Sequence, residues 1–188
     1  MDDAVPFQEL ALKYLDPLYN YGRLLTRDAT HAEDLVQETL LRAFRHRAKV
    51  DPELNPKAWL FRIMRNTHID CYRARAVRPN EVPFPENGPG GTVEDEAPAP
   101  DLLDPEEILL RRLAIADVRS AIQQLPPALR ETVELRDVEG LSYREIAMVV
   151  GKPIGTVMSR LARGRNLVRA TLLDQPKPSI PPRRTGGL

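Results

Sequence analysis

The chain has 188 residues, 42% of them hydrophobic, and 27 basic residues against 27 acidic ones, so its formal net charge is zero. That length suits one ordinary domain or two small ones, with enough apolar content for a packed core. A single cysteine and three histidines exclude a disulfide scaffold or a multi-cysteine zinc site. The acids near the N-terminus and the want of a long apolar run predict a cytoplasmic chain with no leader and no membrane span.

In chain order, residues 6–26 carry apolar side chains at helical spacing, with Asp16-Pro17 placed to cap and restart a helix. Residues 30–47 set Ala32, Leu35, Val36, Leu40, Ala43 and Phe44 on one face, acids early and arginines late as the helix dipole favours. Residues 56–75 set Leu60, Ile63, Met64 and Thr67 on a buried stripe. The stretch AVRPNEVPFPENGPGGTVEDEAPAPDLLDP (76–105) is rich in Pro, Gly and acids and lacks an apolar period, which marks a linker. A helix over 105–124 stops at LPP, and another runs from about 127 to 138 and ends near Gly140. Two more follow before the Pro-rich tail QPKPSIPPRRTGGL. The expectation is an all-α protein of two small helical bundles, residues 1–78 and 105–174. A flexible acidic Pro/Gly-rich linker over 79–104 joins them, and a disordered tail spans 175–188.

The zero total conceals an asymmetry. Residues 79–110 hold nine acids and no Lys or Arg, residues 41–78 hold ten basic residues against three acids, and residues 152–184 hold eight against one. Two basic regions thus flank an acidic middle, a pattern that suits a polyanionic partner.

The last pair of helices, SYREIAMVVGKPIGTVMSRLARGR, has the marks of a helix-turn-helix. Ser142 and Glu145 form a capping box, and Ile146, Ala147 and Val150 point inward. Gly151 suits a left-handed corner, and Pro153 suits the start of the next helix. On that helix Ile154, Val157, Leu161, Val168 and Leu172 share one side. Thr156, Ser159, Arg160, Arg163 and Asn166 share the other, supplying guanidiniums and short polar groups for the major groove. Met158 lies at the edge of the inner side, either core or a contact for a thymine methyl. In the first half, Trp59, Arg62, Asn66, Asp70 and Arg73 fall on one helical face, where a ring, an amide and two guanidiniums could hold single-stranded DNA. A corner alone would equally serve a stand-alone helix-turn-helix regulator acting on duplex operators.

No other chemistry competes. His68 and Cys71 stand three apart on a helix without further ligands nearby, so no metal or cofactor is expected. Asp34 and Glu38 lie on an open face with no nucleophile motif, so the chain does not read as an enzyme.

AEDLVQETLLRAFR, AWLFRIMRNTHIDCYR and LPPALRETVELRDVEGLSYREIAMVVGKPIGTVMSRLARGR resemble, in order, the successive regions of an extracytoplasmic-function (ECF) sigma factor of bacterial RNA polymerase, of the sigma-70 family. That resemblance implies a protein that binds core polymerase and recognises −35 and −10 promoter elements. It implies docking on the clamp coiled coil of core polymerase through Asp34, Gln37, Glu38 and Arg42, and contact with the flap. Trp59, Arg62, Asn66 and Arg73 would hold the −10 strand, Asn66 at a flipped base, with the loop from Ala48 to Lys57 selecting it. Thr156, Met158, Ser159, Arg160 and Arg163 would read the −35 duplex, and an anti-sigma protein would restrain the whole. Two departures stand out: Met158 replaces a residue often basic in that family, and Gly164-Arg165-Asn166 replaces the more usual Arg-Ala-Arg.

Overall fold

A computed structural model of the chain describes residues 7–47, 55–77 and 105–174, with backbone alone for 75–77 and 105–110. Most of the loop from Ala48 to Lys57, the acidic linker and the Pro-rich tail lie outside the described residues. The helices are α1 (Phe7–Lys13), α2 (Leu15–Thr26), α3 (Ala29–His46), α4 (Pro56–Val77), α5 (Pro105–Gln123), α6 (Pro127–Val133), α7 (Tyr143–Val150) and α8 (Ile154–Asp174). Among the described residues there is no strand.

In the first bundle, α2, α3 and α4 pack on one another through Leu18, Tyr21, Leu35, Val36, Ala43, Leu60, Phe61 and Met64, all buried. The expected restart at Asp16-Pro17 falls earlier, with the break at Tyr14, because Pro17 has no N–H to give the carbonyl of Lys13. The α2–α3 corner is tight. Arg27 ends α2 in a left-handed conformation (φ 58°), and Asp28 caps α3 by accepting from the His31 N–H at 2.8 Å. Gly22 packs against Ala32 across this corner, where a Cβ would stand 3.4 Å from the Ala32 carbonyl oxygen, an ordinary contact. Phe44, expected inside, is 48% exposed. It sits near the end of α3, where the Phe7 ring meets its edge at 5.5 Å and the Arg47 guanidinium lies 4.0 Å over its face.

In the second bundle, α6, α7 and the first half of α8 surround Val133, Leu135, Leu141, Ile146, Val149, Val150, Val157 and Leu161. The helix expected over 127–138 is α6 followed by a widened π turn, Glu134–Val138, in which the Glu139 N–H reaches back five residues to the Glu134 carbonyl. That turn buries Leu135 and sends Asp137 out to Arg165 and Glu139 out to Lys57. The corner forms as its sequence dictates. Ser142 and Glu145 make both halves of the capping box, and Gly151 (φ 62°) ends α7. Ile154, assigned to the inner side, is 41% exposed; it is the first residue of α8, and burial on this side begins a turn later at Val157.

Gly164 settles one departure from the family pattern. A Cβ on it would lie 2.7 Å from Cγ2 of Val133, so α8 crosses α6 here at a distance only glycine permits. Val133 is β-branched and buried, and cannot swing aside. Gly164→Ala should therefore destabilise the fold by about 1–3 kcal/mol. Gly155→Ala, which meets nothing within 4 Å, should leave stability unchanged or raise it by about 0.5–1 kcal/mol. Urea unfolding of the two variants beside the parent checks both signs.

Candidate nucleic-acid interface

The buried stripe of α4 fixes what its other side can present. With Leu60, Phe61, Met64 and Thr67 inside, Arg62, Asn66, Asp70 and Arg73 are left exposed, and Trp59 is half-buried against the core edge. From Trp59 to Arg73 this row extends about 21 Å at 1.5 Å per residue, long enough for several unstacked nucleotides. Asp70 is not free, because it accepts from Arg42 Nη1 at 3.0 Å. The row thus keeps one ring edge, one amide and two cations.

On α3, Asp34 and Gln37 are exposed, and Glu38 and Arg42 are half-buried and bonded to each other. Arg42 Nε donates to Glu38 Oε1 at 2.7 Å while its Nη1 reaches Asp70, so Arg42 ties α3 to α4. The hydrogen bond to Glu38 pushes the Arg42 guanidinium above its usual range. Of the four residues expected to dock on polymerase, two form an open face and two are a brace beneath it.

On α8, Ser159 and Arg163 are exposed, as is Met158 at 52%, which removes the reading of Met158 as core. The Ser159 hydroxyl donates back to the Thr156 carbonyl at 3.0 Å. Thr156 and Arg160 are half-buried. Arg165 is exposed but held by Asp137, Nε to Oδ2 at 3.0 Å with a second bond from Nη2 to Oδ1, which raises its pKa. Arg163 is the exposed cation of the expected set, and Arg160 turns toward a cleft.

That cleft, about 1000 Å³, runs between the bundles, with Leu24, Leu25 and Leu35 on its apolar side and Arg130, Lys152 and Arg160 from the second half. His68 and Cys71 also line it. Beside it the bundles touch directly, α4 against α7, and the buried side chains of both form one continuous cluster. The Tyr21 hydroxyl and Arg65 Nε both donate to Glu131 Oε1, each at 2.8 Å. Lys57 Nζ lies 2.7 Å from Glu139 Oε2 and donates to the Glu139 carbonyl at 2.8 Å. None of these five residues was expected to act across the bundles. They are far apart in sequence, and no local pattern records the pairing.

The comparisons with known proteins agree with this division. Residues 10–78 match Sigma-70 region 2, and residues 115–168 match Sigma-70, region 4. The RNA polymerase sigma-H factor of Pseudomonas aeruginosa is 35% identical over 170 residues, 90% of this chain and 88% of its own. The chain belongs to the ECF RNA polymerase sigma factors of the sigma-70 family. The ECF RNA polymerase sigma factor SigE of Mycolicibacterium smegmatis is 38% identical over 167 residues, which are 88% of this chain and 62% of that longer relative. The sigma factor RpoE of Bartonella quintana, solved with the anti-sigma factor NepR, matches with a TM-score of 0.67 at 29% identity over 90% of this chain and 98% of that one. As in the family, then, the open face of α4 lies in region 2 and the corner of α7 and α8 in region 4.

One acid in region 4 carries a proton into the neutral range. Burial, and then the charge of Glu139, push the Glu134 carboxyl up to about 7, against the weaker pull of Arg119 and Arg130. Folding therefore favours its protonated form, so this contribution is complete below about pH 4.5 and is lost as pH rises through 7. The full difference is roughly 3 kcal/mol. Glu134→Gln, which mimics the protonated acid, should match the parent near pH 4.5 and exceed it increasingly up to pH 8. Urea midpoints at pH 5, 6, 7 and 8 check this, and parallel profiles would contradict it.

Proposed function

We propose that this chain binds core RNA polymerase, carries it to promoters with −35 and −10 elements, and helps open the DNA there. The observation that carries the reading is the pairing, on one chain, of two separate exposed faces, Arg62–Asn66–Arg73 on α4 and Met158–Ser159–Arg163 on α8. A stand-alone operator reader has use for the second and none for the first. Asp34 and Gln37 would meet the polymerase clamp, with Glu38 and Arg42 setting the pitch of that face. Trp59, Arg62, Asn66 and Arg73 would hold the opened −10 strand by stacking, amide pairing and charge. Thr156, Met158, Ser159, Arg160 and Arg163 would meet the −35 duplex, adding affinity that falls with salt. The domain limits follow: residues 1–78 for polymerase and −10 contact, 79–104 as tether, 105–174 for the −35 element and the flap.

The same reading supplies a place and a restraint. The chain would act in the bacterial cytoplasm, beside the polymerase; among the described residues no helix is long and apolar enough to cross a membrane. The Bartonella quintana relative was solved with an anti-sigma factor, which supports a protein inhibitor of that kind here. Chemistry by the protein itself forms no part of the proposal, since its faces are open and binding is what they offer.

Run-off transcription with purified core polymerase on a promoter library tests the reading. The parent chain should direct initiation at a defined subset of templates. Asn66→Ala and Arg163→Ala should each lower it by at least about tenfold, the worth of one specific base contact. Initiation unaffected by both, or tight operator binding by the chain alone, would overturn it.

A further inference from the structure

The joint between the bundles is charged as well as apolar. One carboxylate oxygen, Glu131 Oε1 on α6, receives the Tyr21 hydroxyl of α2 and Arg65 Nε of α4. Tyr21 is wholly buried, and burial followed by the Glu131 charge pushes its phenol well above the usual range, so it stays a donor. Lys57 and Glu139 make a second pair across the joint, and the Asn55 side chain hydrogen-bonds Glu145. The Glu131 and Arg65 side chains are mostly shielded from water, as are Lys57 and Glu139, so these pairs escape the screening that weakens surface ion pairs. Removing one partner strands the other's charge.

Geometry gives the joint a consequence. Each bundle is a body of about 70 residues with a radius of gyration near 11 Å, so two that touch have centres roughly 30 Å apart. Promoter elements named for positions −35 and −10 lie about 25 base pairs apart, roughly 85 Å at about 3.4 Å per pair. Docked bundles cannot reach both. The docked form also places Arg160 and Lys152 of the reading corner on the cleft and holds Lys57 and Asn55 at the head of α4.

We propose that the Glu131 junction with Tyr21 and Arg65, seconded by Lys57–Glu139, is an autoinhibitory latch that keeps the free chain closed and must part before both elements are read. This rests on the sigma reading above. The latch stabilises a form that is inert at promoters, and any partner that binds the separated bundles works against it.

The test uses the full chain with one label on exposed Cys71 and one at Leu173→Cys, which is 77% exposed on α8. Pulsed-dipolar or energy-transfer distances should show one narrow population in the labelled parent. Glu131→Arg and Arg65→Glu should each move the closed-to-open ratio by about tenfold or more toward a broad, longer population. Glu131→Gln, whose amide oxygen can still accept from the Tyr21 hydroxyl and Arg65 Nε, should keep the narrow population dominant, which separates broken pairing from damaged folding. Free-chain affinity for a −35 duplex should rise with each charge reversal and stay near the parent's in Glu131→Gln. Unchanged distances in both charge reversals, or a Glu131→Gln population as open as theirs, would overturn the latch. These readouts need no polymerase, so their failure leaves the sigma reading standing, whereas lack of run-off transcription removes that reading without touching the distances.

Discussion

Tyr21 belongs to two cores at once. Its ring stands edge-to-face on Phe61 at 4.8 Å inside region 2, and its hydroxyl ends on a carboxylate of region 4. A buried phenol needs an acceptor, and Glu131 supplies it from the other bundle. The same carboxylate then needs a cation, and Arg65 is there. The relative placement of α4 and α7 and the cleft beside them depend on this one satisfied cluster.

What remains on the surface is decided by what packing has consumed. The α4 row of Arg62, Asn66 and Arg73 is open because the opposite side is taken by Leu60, Met64 and Thr67. On α8, Val157, Leu161 and Gly164 are spent against the rest of region 4, which turns Met158, Ser159 and Arg163 outward. Acids then sort the cations: Arg42 is held by Glu38 and Asp70, and Arg165 by Asp137. A chain of zero net charge can thus offer polyanions a small number of unneutralised groups in set directions.

Much of this was legible in the residues. Capping at Ser142–Glu145, the left-handed Gly151 and the apolar spacing of α3, α4 and α8 obey local rules, and the structure follows them. Where local rules competed, sequence reasoning slipped. Pro17 displaced the helix break by acting on a carbonyl four residues back, and Phe44 and Ile154 had the right period but stood too near a helix end to be covered. The π turn after Val133 was invisible because its residues are ordinary helix formers. Least legible was the joint: Tyr21 and Glu131 are 110 positions apart, Lys57 and Glu139 are 82, and a lone acid on a helix carries no mark of its partner. Face composition predicted that the named residues of α4 and α8 share open faces, and Arg62, Asn66, Arg73, Ser159 and Arg163 are exposed; the brace formed by Arg42 and Asp70 was not legible, since both read as surface charges.

The central claim is that one bundle takes opened strand while the other takes intact duplex. Footprinting of the chain with core polymerase on a single promoter, combined with permanganate mapping of unpaired thymines, tests it most directly. The account predicts duplex protection centred near −35 together with reactive thymines near −10, both absent when either the chain or the polymerase is omitted. Protection confined to one element, or the same footprint from the chain alone, would contradict it.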